Sequence, residues 1–166
     1  MEEKRKRIVT KIGNIFCVEI GNEYKCYFQY IANDLSQLNS SVIRVFKKKY
    51  SIAENPEMES IVLGEVSFYA HTILRVGIMA NAWYKVGTSK NIGDVTNIGF
   101  RDYSDVNWVE RGQTVSCKWT VWKINQERRF VGKMTDEYRK YDNGWVLPYI
   151  QIVHKIETGS YINFMD

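Results

Sequence analysis

Few residues of this chain could carry chemistry, and none of them stands in a pattern typical of an active site. The histidines are His71 and His154, and the cysteines are Cys17, Cys26 and Cys117. Zinc sites use closely paired ligands, and no two of these five residues have such a spacing. A nucleophilic serine or cysteine needs a positioned base, and the chain contains no nucleophile-elbow sequence. We therefore predict no catalytic residue, no metal site, no cofactor and no enzymatic activity.

The other candidates for chemistry are equally unspecific. Residues 87–90 (GTSK) hold the residue types of a phosphate-binding loop in the wrong order, and no helix is predicted after them. Two acidic pairs, Glu57 with Glu59 and Asp102 with Asp105, have the groups that a glycosidase or a carboxylate metal site uses. Such pairs are common in loops. A small hydrolase built on a histidine or an acidic pair stays an alternative.

The best candidate for a recognition surface is the segment 100–111 (FRDYSDVNWVER). It combines Trp, Tyr and Arg, which are enriched in interface hot spots, with carboxylates that can specify charge complementarity. The predicted partner-binding residues are Arg101, Asp102, Tyr103, Asp105, Trp108 and Glu110. The alternative is that Tyr103 and Trp108 fill the end of a β-barrel as core residues.

The N-terminal part of the chain predicts a β-hairpin whose register can be argued. A three-residue turn places Glu19 opposite Lys25, which is a favourable cross-strand charge pair. A two-residue turn would instead place Cys17 opposite Cys26 and would set Val18 against Lys25, on the wrong face. The first register is therefore expected, without a disulfide.

Alternating segments predict most of the remaining elements. Further strands are expected at 42–46, 66–74, 83–86, 98–101, 114–124 and 130–133, a polar loop at 33–41, and helices after Pro56 and between Pro148 and Gly159. Alternation places Cys117 on the buried face of its strand and His71 opposite the core. The predicted fold is mainly β (α+β), an antiparallel, partly closed barrel-like sheet of about seven or eight strands with two short helices, one of them C-terminal.

Composition supports one globular domain over residues 1–166, with residues 1–10 as a flexible basic N-terminus. Hydrophobic residues make up 45% and aromatic residues 14% of the chain, which is sufficient for a core. No apolar run is long enough for a signal peptide or a membrane span, so we expect a soluble cytoplasmic protein. The net charge of +4 is too small to indicate nucleic-acid binding. A β-barrel that stacks bases on Tyr27, Tyr30 and Trp83 stays an alternative.

Two parts of the chain carry a family pattern. Residues 11–20 (KIGNIFCVEI) and 23–28 (EYKCYF) resemble the opening hairpin of the bacterial immunity protein 26 family. Residues 150–161, which include IETGSY, are similar to the closing helix and Thr-Gly-x-Tyr tail of that family. Asn14 stands where the family usually has an acid, and Glu19 where a proline is common.

The resemblance implies a cytoplasmic protein that neutralises a cognate toxin delivered by neighbouring bacteria. Its partner would be a secreted toxin domain, bound without a cofactor and without a membrane. The resemblance assigns no functional residue, and it leaves the toxin and the oligomeric state open.

Overall fold

The computed structural model of the chain describes residues 8–104 and 116–162, and these residues form a mainly β fold. The strands are β1 (Asn14–Ile20), β2 (Tyr24–Asp34), β3 (Ser40–Phe46), β4 (Tyr50–Ser51), β5 (Val66–Thr72), β6 (Tyr84–Thr88), β7 (Gly99–Tyr103), β8 (Trp119–Lys123), β9 (Arg129–Gly132), β10 (Asp142–Asn143) and β11 (Val146–Leu147). The helices are α1 (Met58–Val62), α2 (Leu74–Met79), α3 (Asp136–Arg139) and α4 (Tyr149–Thr158).

The strands divide into two sheets. The first has the order β11-β5-β3-β2-β1-β6, with β4 beside β2, and the second has the order β10-β7-β8-β9. The predicted mainly β class is confirmed, but the described residues form two mixed sheets and no closed barrel. The pairs β11–β5 and β10–β7 are parallel, and all other pairs are antiparallel. Each parallel pair depends on a two-residue strand, which is too short to give a sequence pattern.

The predicted hairpin register is confirmed. Glu19 lies opposite Lys25, and Cys17 lies opposite Tyr27 rather than Cys26. Neither Cys17 nor Cys26 forms a disulfide, and both side chains are buried. The two thiols point to opposite faces of the sheet because their positions differ by one in the cross-strand register.

Strand β2 is buried on both of its faces, because the first sheet is covered on both sides. One face packs against α2 and α4 through a core formed by Phe16, Val18, Ile20, Phe28, Tyr30, Ile43, Val45, Phe68, Ala70, Leu74, Trp83, Leu147, Ile152 and Tyr161. The other face packs against α1 through Ile15, Cys17, Tyr27, Phe46, Tyr50, Ile61 and Val62. Beside that cluster it meets the second sheet through Ile31, Ala32, Val42, Ile98, Phe100, Trp122 and Ile124.

Helix α2 directly follows β5 and was not predicted from the sequence. Its close approach to the core depends on Gly77, since a Cβ at that position would lie 2.0 Å from a ring carbon of Trp83. The indole Nε1 of Trp83 donates to the carbonyl of Leu74 at 3.0 Å and holds the ring under the helix. Helix α2 has only six residues and contains a glycine, so its sequence gives no helical signal. This explains why the sequence does not predict it.

Helix α4 has the ends that the sequence predicts. Pro148 is its N-cap, and Gly159 ends it in the left-handed conformation at φ 86°. The predicted helix before residue 63 is also present, although α1 begins at Met58, two residues after Pro56.

The prediction that Cys117 is a core residue is wrong, because its side chain is exposed. The strand begins only at Trp119, and residues 116–118 form a turn. The Lys118 backbone N–H donates to Ser116 Oγ at 3.1 Å, and the Trp119 indole donates to the Ser116 carbonyl at 3.1 Å. These local hydrogen bonds compete with the extended conformation and break the alternation.

Candidate functional site

The predicted partner-binding residues that the structure describes lie on one strand, β7. Because successive side chains of a strand point to opposite faces, Arg101 and Tyr103 share one face and Asp102 lies on the other. Asp105, Trp108 and Glu110 lie outside the described residues.

Arg101 and Tyr103 line a small interior cavity where the second sheet meets helix α4. Its volume is about 40 Å³, enough for a few water molecules. The remaining lining residues are Trp119, Tyr141, Asp142, Asn143, Lys155 and Tyr161. Tyr103 is 5% exposed and packs edge-on against Trp119, with ring centroids 5.0 Å apart. In the described part of the chain these two predicted residues therefore act as packing residues first.

The charges around this cavity partly compensate each other. Arg101 donates through Nε to the carbonyl of Tyr141 at 2.9 Å, and its guanidinium lies 5.3 Å from the Trp119 ring centroid. Burial raises the pKa of Asp142 to about 6, although the Tyr69 N–H, which donates to its Oδ2 at 3.1 Å, and the charges of Lys155 and Arg101 oppose the shift. The carboxylate of Asp142, on β10, thereby binds the backbone of β5 and links the second sheet to the first.

Asp102 faces away from the cavity, towards the turn between β8 and β9. Its carboxylate forms an ion pair with Arg128. The Arg128 guanidinium lies 4.3 Å from the Trp122 ring centroid and donates to Gln37 Oε1 at 3.4 Å. Asp102 is therefore a partly buried charge, with its side chain 17% exposed, and it is held in place by a cation that is itself packed on an aromatic ring.

A buried carboxylate, Asp34, joins the two sheets. The sequence does not predict this role, because residues 33–41 are expected to form a polar loop. Asp34 ends β2 and is fully buried. Its Oδ2 accepts from His71 at 2.8 Å and from the Trp122 indole at 3.0 Å. Its Oδ1 accepts the backbone N–H groups of Ser36 and Asn125, both at 3.0 Å. The available signal was an aspartate directly after a run of core residues, two positions before a serine, a pattern typical of an Asx turn.

These hydrogen bonds also determine the charge state of Asp34. Burial alone would raise the pKa of this carboxyl group, but the hydrogen bonds from His71, Asn125, Trp122 and Ser36 outweigh it and hold the pKa well below its usual range. Asp34 is therefore an ionised group in the interior, stabilised by four donors.

Neither histidine is placed for catalysis. As alternation predicts, His71 lies on the face of β5 opposite Phe68 and Ala70. That face is also covered, because the second sheet packs on it, and His71 is fully buried with its ring centroid 4.1 Å from that of Phe100. Its Nε2 contacts Asp34, and its Nδ1 has no hydrogen-bond partner among the described residues. The Nδ1 atom of His154 lies 2.8 Å from the carbonyl oxygen of Ser160, and this contact stabilises the C-terminal end of α4. Both side chains have structural roles.

The other chemical candidates also have structural roles. Glu59 accepts the Ser89 hydroxyl at 2.7 Å and connects α1 to the loop after β6. The rings proposed as base-stacking platforms, Tyr27, Tyr30 and Trp83, are buried in the cores on the two faces of the first sheet. They offer no exposed face to a base in this arrangement.

The described residues show neither a metal-binding cluster nor a membrane-spanning helix. Across residues 8–104 and 116–162, no group of three or more His, Cys, Asp or Glu side chains is arranged to hold a metal ion. Within the same ranges, no helix has both the length and the apolar character needed to cross a membrane.

Comparison with known proteins identifies the family. No curated protein and no solved structure matches the chain. The family model described as immunity protein 26 matches residues 11–108, which include β1 to β7 and the predicted residues Arg101, Asp102 and Tyr103. Since this match spans more than half of the sequence, the chain belongs to the immunity protein 26 family.

Proposed function

We propose that this protein is an immunity protein that binds a cognate bacterial toxin and neutralises it by covering the active surface of the toxin. The observation that carries the proposal is the family match over residues 11–108. Neutralisation of this kind needs tight and specific contact and requires no turnover. The protein would act in the cytoplasm, where a toxin delivered by a neighbouring cell arrives.

The arrangement of the described side chains agrees with a binding function. The groups that could serve a hydrolase, His71 and Glu59, are committed to contacts within the protein. The stacking platforms of a nucleic-acid-binding barrel are buried. No specific observation favours either of those alternatives, and we do not propose them.

We propose that the toxin-facing surface includes Asp102 and the segment that follows it, with Asp105, Trp108 and Glu110. The support for this is the partly exposed position of Asp102 beside Arg128 and the enrichment of the segment in hot-spot residue types. Arg101 and Tyr103 lie on the opposite face of β7, where they pack against Trp119 and would hold the strand in place.

The function is tested by co-expression. Where the neighbouring gene encodes a large secreted protein, the candidate partner is the C-terminal domain of that protein. The protein should restore growth of a bacterial host that produces this domain, and the two should co-purify as a stable complex. Growth arrest that continues despite full expression of a folded protein would contradict the proposed function.

The surface is tested by reversing its charges. The double variant Asp102→Lys/Asp105→Lys should weaken protection while thermal unfolding confirms that the protein stays folded. The matched control is Asp136→Lys/Glu137→Lys, which makes the same charge change on helix α3, where the Asp136 side chain is fully exposed. Equal protection by both double variants and by the wild type would refute the assignment of this surface.

A further inference from the structure

A groove runs along the helix-covered face of the first sheet, between the end of α4 and the adjoining ends of β2, β3 and β5. Its volume is about 320 Å³, at the lower end of the range of about 300–1,000 Å³ for ligand pockets. It is lined by Cys26, Val45, Phe46, Lys47, Lys49, Ser67, Phe68, Lys155, Ile156, Glu157, Thr158 and Gly159. Helix α4 covers the sheet only partly here, so core residues form part of the groove wall.

The buried part of the groove is apolar and uncharged. Val45 and Phe68 belong to the main core, and Cys26 lies beside them, 3% exposed. Burial raises the pKa of the Cys26 thiol to about 11, so this group is neutral at physiological pH. The floor of the groove therefore offers a small apolar contact to one side chain, and Ser67 and Thr158 line the groove beside it.

The rim of the groove is positively charged. It carries three lysines, Lys47, Lys49 and Lys155, against one carboxylate, Glu157. Lys47 also pairs with Glu65, which lies outside the groove.

Lys49 extends over the ring of Tyr24, with its Nζ 4.2 Å from the ring centroid. Lys155 packs on the rings of Phe68 and Tyr161, with its Nζ 5.2 Å and 4.0 Å from their centroids, and its charge also acts on Asp142. The positive charge offered to a carboxylate that approaches from outside is therefore centred on Lys49.

The neighbouring residue Lys48 projects to the other side of the sheet. Its Nζ lies 4.4 Å from the centroid of Tyr50, which belongs to the cluster under α1. Adjacent residues of an extended segment point in opposite directions, so Lys48 and Lys49 carry the same charge on different faces. The sequence run 47–49 is therefore not one basic patch.

We infer that this groove receives a segment of the cognate toxin domain in which an apolar side chain is flanked by acidic residues. This inference rests on the proposed function and names a second contact surface for the same partner. The apolar side chain would enter between α4 and the sheet, and the flanking carboxylates would meet Lys49 and its neighbours on the rim.

The alternative class of ligand, a nucleic acid, fits the groove less well. Base recognition on such a surface uses exposed aromatic rings. The nearest candidate, Tyr24, is covered by Lys49, and Phe68 is 4% exposed. An apolar floor with a lysine on the rim is better matched by a polypeptide that presents both an apolar and an acidic side chain.

The decisive comparison is between Lys49→Glu and Lys48→Glu, measured as Kd for the purified toxin domain by calorimetry. Both variants change the net charge equally, one residue apart, so long-range attraction is affected alike. We expect Lys49→Glu to weaken binding about tenfold more than Lys48→Glu, because only Lys49 lies on the groove. Equal Kd values for the two variants would overturn the inference.

A second pair of variants tests the groove without a charge change. Ser67→Trp places a bulky ring at the exposed Ser67 position of the groove, whereas Ser51→Trp places the same ring on β4 outside it. Ser67→Trp should weaken binding at least tenfold relative to Ser51→Trp. Unchanged binding by both tryptophan variants would also overturn the inference.

The outcomes separate the two proposals. If the wild-type protein does not bind the toxin domain, the proposed function fails and the groove inference fails with it. If the wild type binds and both pairs of variants behave alike, only the groove inference fails. A single-stranded RNA oligonucleotide that binds the wild type more tightly than the toxin domain does, and that loses its affinity in Lys49→Glu, would show that the occupant is a nucleic acid and overturn the inference.

Discussion

The buried carboxylate of Asp34 gives the most precise prediction for the fold. The substitution Asp34→Asn keeps the size of the side chain and removes one of its two acceptor oxygens. At present one oxygen accepts from His71 and Trp122, and the other accepts the backbone N–H groups of Ser36 and Asn125. An asparagine can satisfy only one of these two sets with its oxygen, and its NH₂ group meets donors on the other side.

The size of the effect follows from this count. Two donors lose their acceptor, and a buried unsatisfied donor costs about 1–3 kcal/mol, so Asp34→Asn should lower the free energy of unfolding by about 2–6 kcal/mol. Native domains are stable by only about 5–15 kcal/mol. The variant should therefore unfold at a clearly lower urea concentration.

The stability difference should also depend on pH. The pKa of Asp34 is lowered in the folded protein, whereas an aspartate in an unfolded chain has a pKa of about 3.9. The ionised group therefore contributes its full stabilisation above about pH 4 and loses it as the pH falls towards the folded pKa. Below about pH 4 the difference between wild type and Asp34→Asn should shrink by about 1.4 kcal/mol per pH unit.

The assay is urea unfolding followed by tryptophan fluorescence, since Trp122 contacts the substituted group. The control is Asp136→Asn, at a fully exposed aspartate of α3, which should leave the unfolding midpoint unchanged. A loss of less than about 1 kcal/mol for Asp34→Asn at neutral pH, or a difference that does not change with pH, would refute the role given to this network.

Two further predictions concern single side chains. The carboxyl of Asp142 should titrate near pH 6 in an NMR experiment. Because its pKa is raised in the folded state, Asp142→Asn should gain stability relative to the wild type as the pH rises from about 4 to about 6. A titration near pH 4 would contradict the desolvation of this partly buried group. In a thiol-reagent assay of the native protein, Cys117 should react first, since Cys26 is buried and its pKa is raised to about 11. The variant Cys117→Ser should remove the fast phase of the reaction. A fast phase that persists in this variant would refute the assignment of Cys117 as the exposed thiol.

Sequence reasoning succeeded where the interacting residues are close together in the chain. The register of the first hairpin depends on the turn and on pairs such as Glu19 with Lys25, and both lie within a dozen residues. Helix α4 was predicted because Pro148 and Gly159 mark its ends directly. In each case the pattern contained the whole interaction.

It failed where a contact joins distant parts of the chain. Asp34 meets His71 across 37 residues and Trp122 across 88 residues, and no local pattern indicates which polar groups will be buried together. The same applies to Arg101 and Tyr103, whose residue types suggest an interface. Tyr103 packs against Trp119 and Trp145, and Arg101 donates to the carbonyl of Tyr141, all of them later in the chain.

The short segment that contains β10 and β11 has a consequence for how the protein is synthesised. Strand β10 completes the second sheet, and strand β11 completes the edge of β5 in the first sheet. The region matched by the family model ends before both strands. At about 5–20 residues per second, a ribosome needs several seconds to go from β5 to residue 147. During this interval the edge of β5 that β11 will cover, at His71 and Thr72, is unpaired, and the nascent chain is open to edge-to-edge association with other chains.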